Sequence, residues 1–296
     1  MQPAPPIVAI LLGPYRNLST LTAALLALHP NVQVLNHAGW RVLGVGGIDF
    51  LLSPDPDVLA RFIDFATQAS QAGRAGNYGG SILLSHAFDS VRMKDAYARR
   101  FGDQAIKQRV HCLLWKESLR VGVHLRRHGV DIAGLFRSLP SLRFVLPIRH
   151  PLDTTISNLK IGHWSLFPQL ARHPQTQSPV AASKPPKPAQ VLRAILEEIR
   201  WFADLERADP DRCFHLFQTD FGRDGLESLA RFLSLDPDRE WLEAVQECCQ
   251  LKASPAHPPE LVAAYATMVK ELFRDHPGYR EALLRFTEPG AHIAVG

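Results

Sequence analysis

IVAILLGPYRNLSTLTAALLALHP, residues 7–30, runs from an apolar segment through Gly13 and a short polar turn into the Leu/Ala spacing of a helix that begins at Ser19 or Thr20. The order is strand, phosphate-type loop, helix. Gly13 to Thr20 has the frame G-x-x-x-x-G-K-[ST], with Leu18 where the second glycine belongs and Ser19 where the lysine belongs. Backbone amides at a helix N-terminus, aided by the helix dipole, hold phosphate whatever the side chains are, so the frame still suits an anion. Lacking the lysine that contacts β/γ-phosphates, it does not suit ATP or GTP chemistry in its usual form. If the turn needs a positive φ at position 18, leucine there costs about 1 to 2 kcal/mol.

Outward from this unit, short β-like runs alternate with longer helical ones. Residues 32–37 read as a second strand, and Asp55 to Gln71 as a helix introduced by Ser53-Pro54. A glycine-rich segment, 73–80, precedes a short strand ending at His86, and a helix spans about Asp89 to Arg100. Strands at His111 to Lys116 and Arg143 to Arg149 each feed a helix, from Ser118 and from about Leu152. A long helix (Val191 to Arg207), a strand (Cys213 to Gln218) and several C-terminal helices follow. Repeated strand-then-helix units predict an α/β fold: a P-loop-type parallel β-sheet flanked by helices on both faces, with a helical C-terminal extension. At 296 residues and 46% hydrophobic content the chain can bury a full core, which predicts one domain over 1–296. The proline-rich segment 171–190 has too few apolar residues for a packed element and is expected to be a loop.

The net charge of +4 is mild and the basic residues are scattered, which suits an anionic small ligand and argues against nucleic acid. The four cysteines form no C-x-x-C pair, and the vicinal Cys248-Cys249 pair rarely makes a structural disulfide, so a reducing cytoplasm fits. No apolar run approaches the roughly 18 residues of a membrane span, and residues 1–6 lack a signal-peptide layout. The expected location is cytoplasmic. His111 and His215 sit in alternating strand patterns without metal-ligand spacing, and no metal is expected.

A second stretch, Phe144 to Ser157, places Arg149 at the carboxyl end of a strand and Ser157 about two helical turns on. Ligands of a doubly wound sheet sit in the crevice beyond those strand ends, so Arg149 is expected beside the first loop. An arginine fork with a serine hydroxyl is good equipment for a terminal phosphate. Pro151 presets the first helical turn and Asp153 favours it by charge.

Together the two stretches resemble the PAPS-dependent sulfotransferase family, whose members move a sulfonate from 3′-phosphoadenosine 5′-phosphosulfate to a hydroxyl or amine. The likeness is to the bacterial, carbohydrate and tyrosylprotein branches. The family loop R-S-G-T-T-L stands here as Arg16-Asn17-Leu18-Ser19-Thr20-Leu21, followed by a helix ending in His29-Pro30. The second motif, R-x-P-x-D-x-x-x-S, is met by Arg149, Pro151, Asp153 and Ser157. Trp115-Lys116-Glu117-Ser118 resembles the strand-end K-[TD]-P segment without its proline. Gln218 to Leu233 resembles a later "Y-E-D-L … FL" region, so the likeness spans Ile7 to about Trp241.

The resemblance implies PAPS as co-substrate. Arg16 and Lys116 would face the bridging oxygen and the sulfonate, the Ser19 and Thr20 hydroxyls and the amides of Asn17 and Leu18 the 5′-phosphate, and Arg149 with Ser157 the 3′-phosphate. His37, at the end of the second strand, titrates near neutrality and is the candidate general base, although a lone histidine there is more often a structural hydrogen-bonder. His86 is the reserve base, with Ser85 and Phe88 as pocket neighbours. Tyr78, Trp164 and Phe167 are candidate pocket aromatics and 171–190 a candidate lid for a small-molecule or glycan acceptor. Two other readings stand beside this one: a catalytically impaired sulfotransferase-like scaffold, and a P-loop nucleotide kinase.

Overall fold

The computed structural model describes residues 5–72, 79–170, 185–251 and 253–288. Six strands, β1 (Ile7–Leu11), β2 (Val32–Asn36), β3 (Gly80–Ser81), β4 (Cys112–Lys116), β5 (Leu142–Ile148) and β6 (Cys213–Phe217), form one sheet in the order β3-β2-β4-β1-β5-β6. All neighbours run parallel except β3, which lies antiparallel on β2. The helices are α1 (Ser19–Ala27), α2 (Gly39–Val42), α3 (Pro56–Ala69), α4 (Val91–Phe101), α5 (Leu119–Arg127), α6 (Ile132–Ser138), α7 (Pro151–Ile161), α8 (Pro188–Ala208), α9 (Arg223–Phe232), α10 (Arg239–Cys248), α11 (Pro259–Leu272) and α12 (Pro277–Arg285).

Side chains alternate across a strand, and β1 shows what that does here. Val8 and Ile10 enter one apolar layer with Trp115, Phe144, α3 and α8, while Ala9 and Leu11 enter the other with α1, α4, α9 and α10. Both faces are therefore buried, which explains the unbroken apolar runs of the central strands.

Strand register sets the level at which the site is built. Leu11 and Asn36 both pair with Lys116, so β1, β2 and β4 end on one line. The chain leaves β1 toward β2 on one side and leaves β5 toward β6 on the other, which makes the β1/β5 gap the switch point where such sheets bind ligands.

Three expectations are corrected. Only Gly80 and Ser81 of the segment ending at His86 are strand; 3-10 turns at Ile82–Leu84 and His86–Asp89 follow. The Ser81 hydroxyl accepts a hydrogen bond from the Leu83 amide at 3.3 Å, and that local bond bends the chain away from β2. The long helix begins at Pro188, where proline suits the first helical turn, so residues 188–190 belong to α8. Phe167 is fully buried in the core and Phe88 packs edge-on against Tyr97, so both rings serve packing. Tyr78 and 171–184 lie outside the described residues. No helix among the described residues is long and apolar enough to cross a membrane.

Candidate functional site

A cavity of about 280 Å³ opens at the switch point. Its lining includes Arg16, Ser19 and Thr20 from the β1 loop, His37 after β2, Lys116 to Ser118 after β4, and Arg149 after β5. His86, Arg120 and His163 complete its basic character. Among these lining residues three arginines, Arg16, Arg120 and Arg149, and the Lys116 amine face one carboxylate, Glu117, so the space suits a polyanion.

The loop from β1 is held in a strained shape. Gly13 has φ +99°, and a Cβ there would meet Leu146 Cδ1 at 2.1 Å, so only glycine fits. Arg16 and Leu18 both have φ 70°, and Leu18 caps α1 without a side-chain hydrogen bond. His37 and Ala38 are left-handed too, at φ 62° and 80°. Three of the five non-glycine residues with positive φ among the described residues, Arg16, Leu18 and His37, thus line this cavity, each at a cost of about 1 to 2 kcal/mol. Asn17 turns inward: its Nδ2 donates to the Leu12 carbonyl at 2.9 Å and its Oδ1 accepts from the Ser19 amide at 3.3 Å. Its side chain therefore braces the loop, and α1 begins at Ser19, with Ser19, Thr20 and Leu21 of its first turn lining the cavity.

The β1 and β5 elements meet through side chains. Arg16 Nε donates to the Ser157 hydroxyl at 3.0 Å, linking the two stretches singled out by sequence. Arg149 Nη2 lies 3.5 Å from Asp153 Oδ2, one helical turn on. Asp153 Oδ1 in turn is 2.9 Å from His257 Nε2 and accepts from the Ser254 hydroxyl. These last two residues precede α11, a segment the sequence left without a role. His150, Asp153 and His257 offer three ligand atoms within 4.8 Å of one another. Nδ1 of His150, however, accepts from the Leu152 amide at 3.2 Å, and Arg149 shares the carboxylate, which makes the group a brace for the arginine.

The opposite wall holds a file of three ionisable groups. Lys116 Nζ lies 2.7 Å from His37 Nε2, and His37 Nδ1 lies 3.5 Å from Glu117 Oε1. Glu117 Oε2 accepts from the Gly39 amide at 2.8 Å. Lys116 and Glu117 are 3% and 1% exposed, so water does little to screen them. Burial lowers the Lys116 pKa to about 8, with Arg16 pushing the same way and Glu117 opposing. Burial also lowers the pKa of His37, helped by Lys116 and opposed by Glu117, so the ring is neutral at neutral pH. For Glu117, burial alone would raise the pKa; the His37 contact, the Lys116 charge and the Gly39 amide outweigh it and hold the carboxyl below its usual range. His86 sits exposed on a 3-10 turn, its pKa lowered by burial and by Arg16 and Lys116. Of the histidines lining the cavity, His37 is the one paired with a carboxylate among the described residues, and Glu117 is the residue that sequence reasoning passed over. The signal was the carboxylate directly after a strand-end lysine.

No family model matches the chain and no curated protein matches it in sequence. Solved structures to which it is similar are sulfotransferases. Sulfotransferase STF9 from Mycobacterium avium is 16% identical, with 93% of this chain and 77% of that one covered at a TM-score of 0.45. Mouse sulfotransferase SULT7A1 complexed with PAP is 9% identical over 95% and 88%, at 0.43. The sulfotransferase domain from the Curacin biosynthetic pathway is 17% identical over 81% and 78%, at 0.39.

Proposed function

We propose that this chain transfers a sulfonate from PAPS to a hydroxyl or amine of a small-molecule or glycan acceptor. One observation carries the reading: two strand ends that carry Arg16 and Arg149 converge on a cavity whose other wall presents a neutral histidine between a carboxylate and an ammonium. The α1 amides with Ser19 and Thr20 bind the 5′-phosphate, Arg149 and Ser157 bind the 3′-phosphate, and Lys116 and Arg16 offset charge on the sulfonate and the leaving oxygen. His37 takes the acceptor proton as the new S–O bond forms and the S–O bond to the phosphate breaks, its electron pair leaving with 3′,5′-ADP. The buried, mutually compensating charges also argue against a scaffold that has lost its chemistry, because such a file costs solvation and serves packing poorly.

The test is a melting curve with 3′,5′-ADP beside 5′-ADP and Mg-ATP. Ligand at about 100 times its dissociation constant stabilises a fold by roughly 2.7 kcal/mol, a shift of a few degrees. The reading expects a shift with 3′,5′-ADP that Arg149→Ala abolishes. A shift with Mg-ATP alone would move the protein to the kinase reading, and no shift with any of the three would favour the scaffold.

A further inference from the structure

We propose that Glu117 is the positioning residue for the His37 base: it fixes the imidazole as the Nδ1–H form with its Nε2 lone pair toward the cavity, and Lys116 covers that lone pair until the donor's anionic group draws the ammonium away. The first part rests on geometry alone, and the second on the sulfotransferase reading.

An ammonium has donors and no acceptor, so a Lys116 Nζ 2.7 Å from Nε2 requires the lone pair there. A neutral imidazole carries one proton, which then sits on Nδ1, facing Glu117 Oε1. The carboxylate cannot drift from this duty. Its other oxygen is held by the Gly39 amide, and a Cβ at Gly39 would lie 2.9 Å from that oxygen, so only a glycine lets the backbone come this close. The backbone that carries the ring is anchored as firmly: the His37 amide donates to the Lys116 carbonyl at 2.7 Å, and the His37 carbonyl accepts from the Trp115 indole. Among the described residues, the charged and titratable groups facing His37 include Glu117 and Lys116 from the end of β4, Arg120 from α5 and His163 from the turn after α7. Glu117 is the acidic one among these, so the imidazolium formed during transfer has a stabilising carboxylate already in place.

Covering Nε2 gives the base an order of events. Without donor the lone pair is engaged and no acceptor hydroxyl is activated. A phosphate or sulfonate oxygen beside Arg16 competes for the Lys116 ammonium, whose departure exposes Nε2. The acceptor O–H proton then moves to Nε2, the acceptor oxygen bonds to sulfur, and the sulfur–phosphate oxygen bond breaks.

The experiment is long-range proton–nitrogen NMR of the full chain labelled with ¹⁵N-histidine, which reports which ring nitrogen carries the proton. Wild-type His37 is expected as the Nδ1–H form at pH 7. In Glu117→Gln the amide oxygen keeps the Gly39 amide while the NH₂ turns to Nδ1, so the ring proton moves to Nε2 and the imidazole titrates at lower pH. Glu117→Asp, which keeps the carboxylate, is expected to restore Nδ1–H at least in part. Adding 3′,5′-ADP to the wild type should shift the Nε2 resonance as Lys116 leaves it. A wild-type Nε2–H ring, or a Glu117→Gln ring unchanged from wild type, would overturn the positioning role; if Glu117→Gln does not fold, the wild-type form decides alone. Binding of 3′,5′-ADP with no change at Nε2 would overturn the uncovering step. Failure of 3′,5′-ADP to bind would sink the sulfotransferase reading, and the uncovering step with it, while leaving the tautomer result standing.

Discussion

On the β1 and β5 side of the cavity, Arg16 stands exposed against Ser157 and Arg149 is part-buried against Asp153; on the β2 and β4 side, Lys116 and Glu117 are shut away from water with His37 between them. The first wall keeps its cations hydrated, where a charge is cheap to hold and its field reaches an arriving anion. The second removes hydration, so each group's protonation depends on its neighbours. On the proposed function the first wall binds the donor and the second sets proton positions, and a variant should damage one task more than the other.

The sharpest way to break that division is His37→Ala. Sulfonate transfer should fall by about 10² to 10⁴-fold, the usual contribution of a general base, while the 3′,5′-ADP dissociation constant stays within a few-fold. Equal loss of both in a binding titration would show that the walls are one unit. Next in size is Arg149→Ala. A charged hydrogen-bond partner contributes about 1.5 to 3 kcal/mol, so calorimetry should show 3′,5′-ADP binding weakened by about 10 to 100-fold, with 5′-AMP nearly unaffected. A pH series sharpens the contrast from the other wall. Lys116, with a pKa near 8, holds its proton below that pH and loses it above, so 3′,5′-ADP affinity should decline as pH rises from 7 to 9. Lys116→Arg, which stays charged, should flatten the decline. The smallest effect is expected at Leu18→Gly. Relief of the left-handed strain is offset by lost backbone entropy and lost packing of a part-buried leucine, so stability should move by less than about 1 kcal/mol in a denaturant series.

The binding wall was legible in the sequence because both its parts are local. The Gly13 loop and the Arg149 to Ser157 motif each sit on one strand end and one helix start, and strand order brings them together. The strain at Leu18 was legible as well, since the loop frame itself calls for a glycine there. The proton-setting wall was legible only in pieces. His37 and Lys116 could be named, but His37 and Glu117 are far apart in the chain and meet because Asn36 pairs with Lys116 in the sheet, a register that no local pattern encodes. The turn after Ser81 was misread for a related reason: its apolar residues suit a strand, and one serine hydroxyl redirects the backbone. Phe167 looked like a pocket aromatic because composition says nothing of which side of a helix end faces the core.

The contact of Ser254 and His257 with Asp153 reaches beyond local bracing. It ties the grip of Arg149 to a stretch of chain just before α11, outside the cavity lining. If the proposed function holds, nucleotide preference is therefore partly modular. Exchanging the segment around 253–258 would retune how the arginine is presented while leaving every cavity side chain as it is, which on the proposed function offers protein engineers a handle on donor selectivity that is separable from the transfer step.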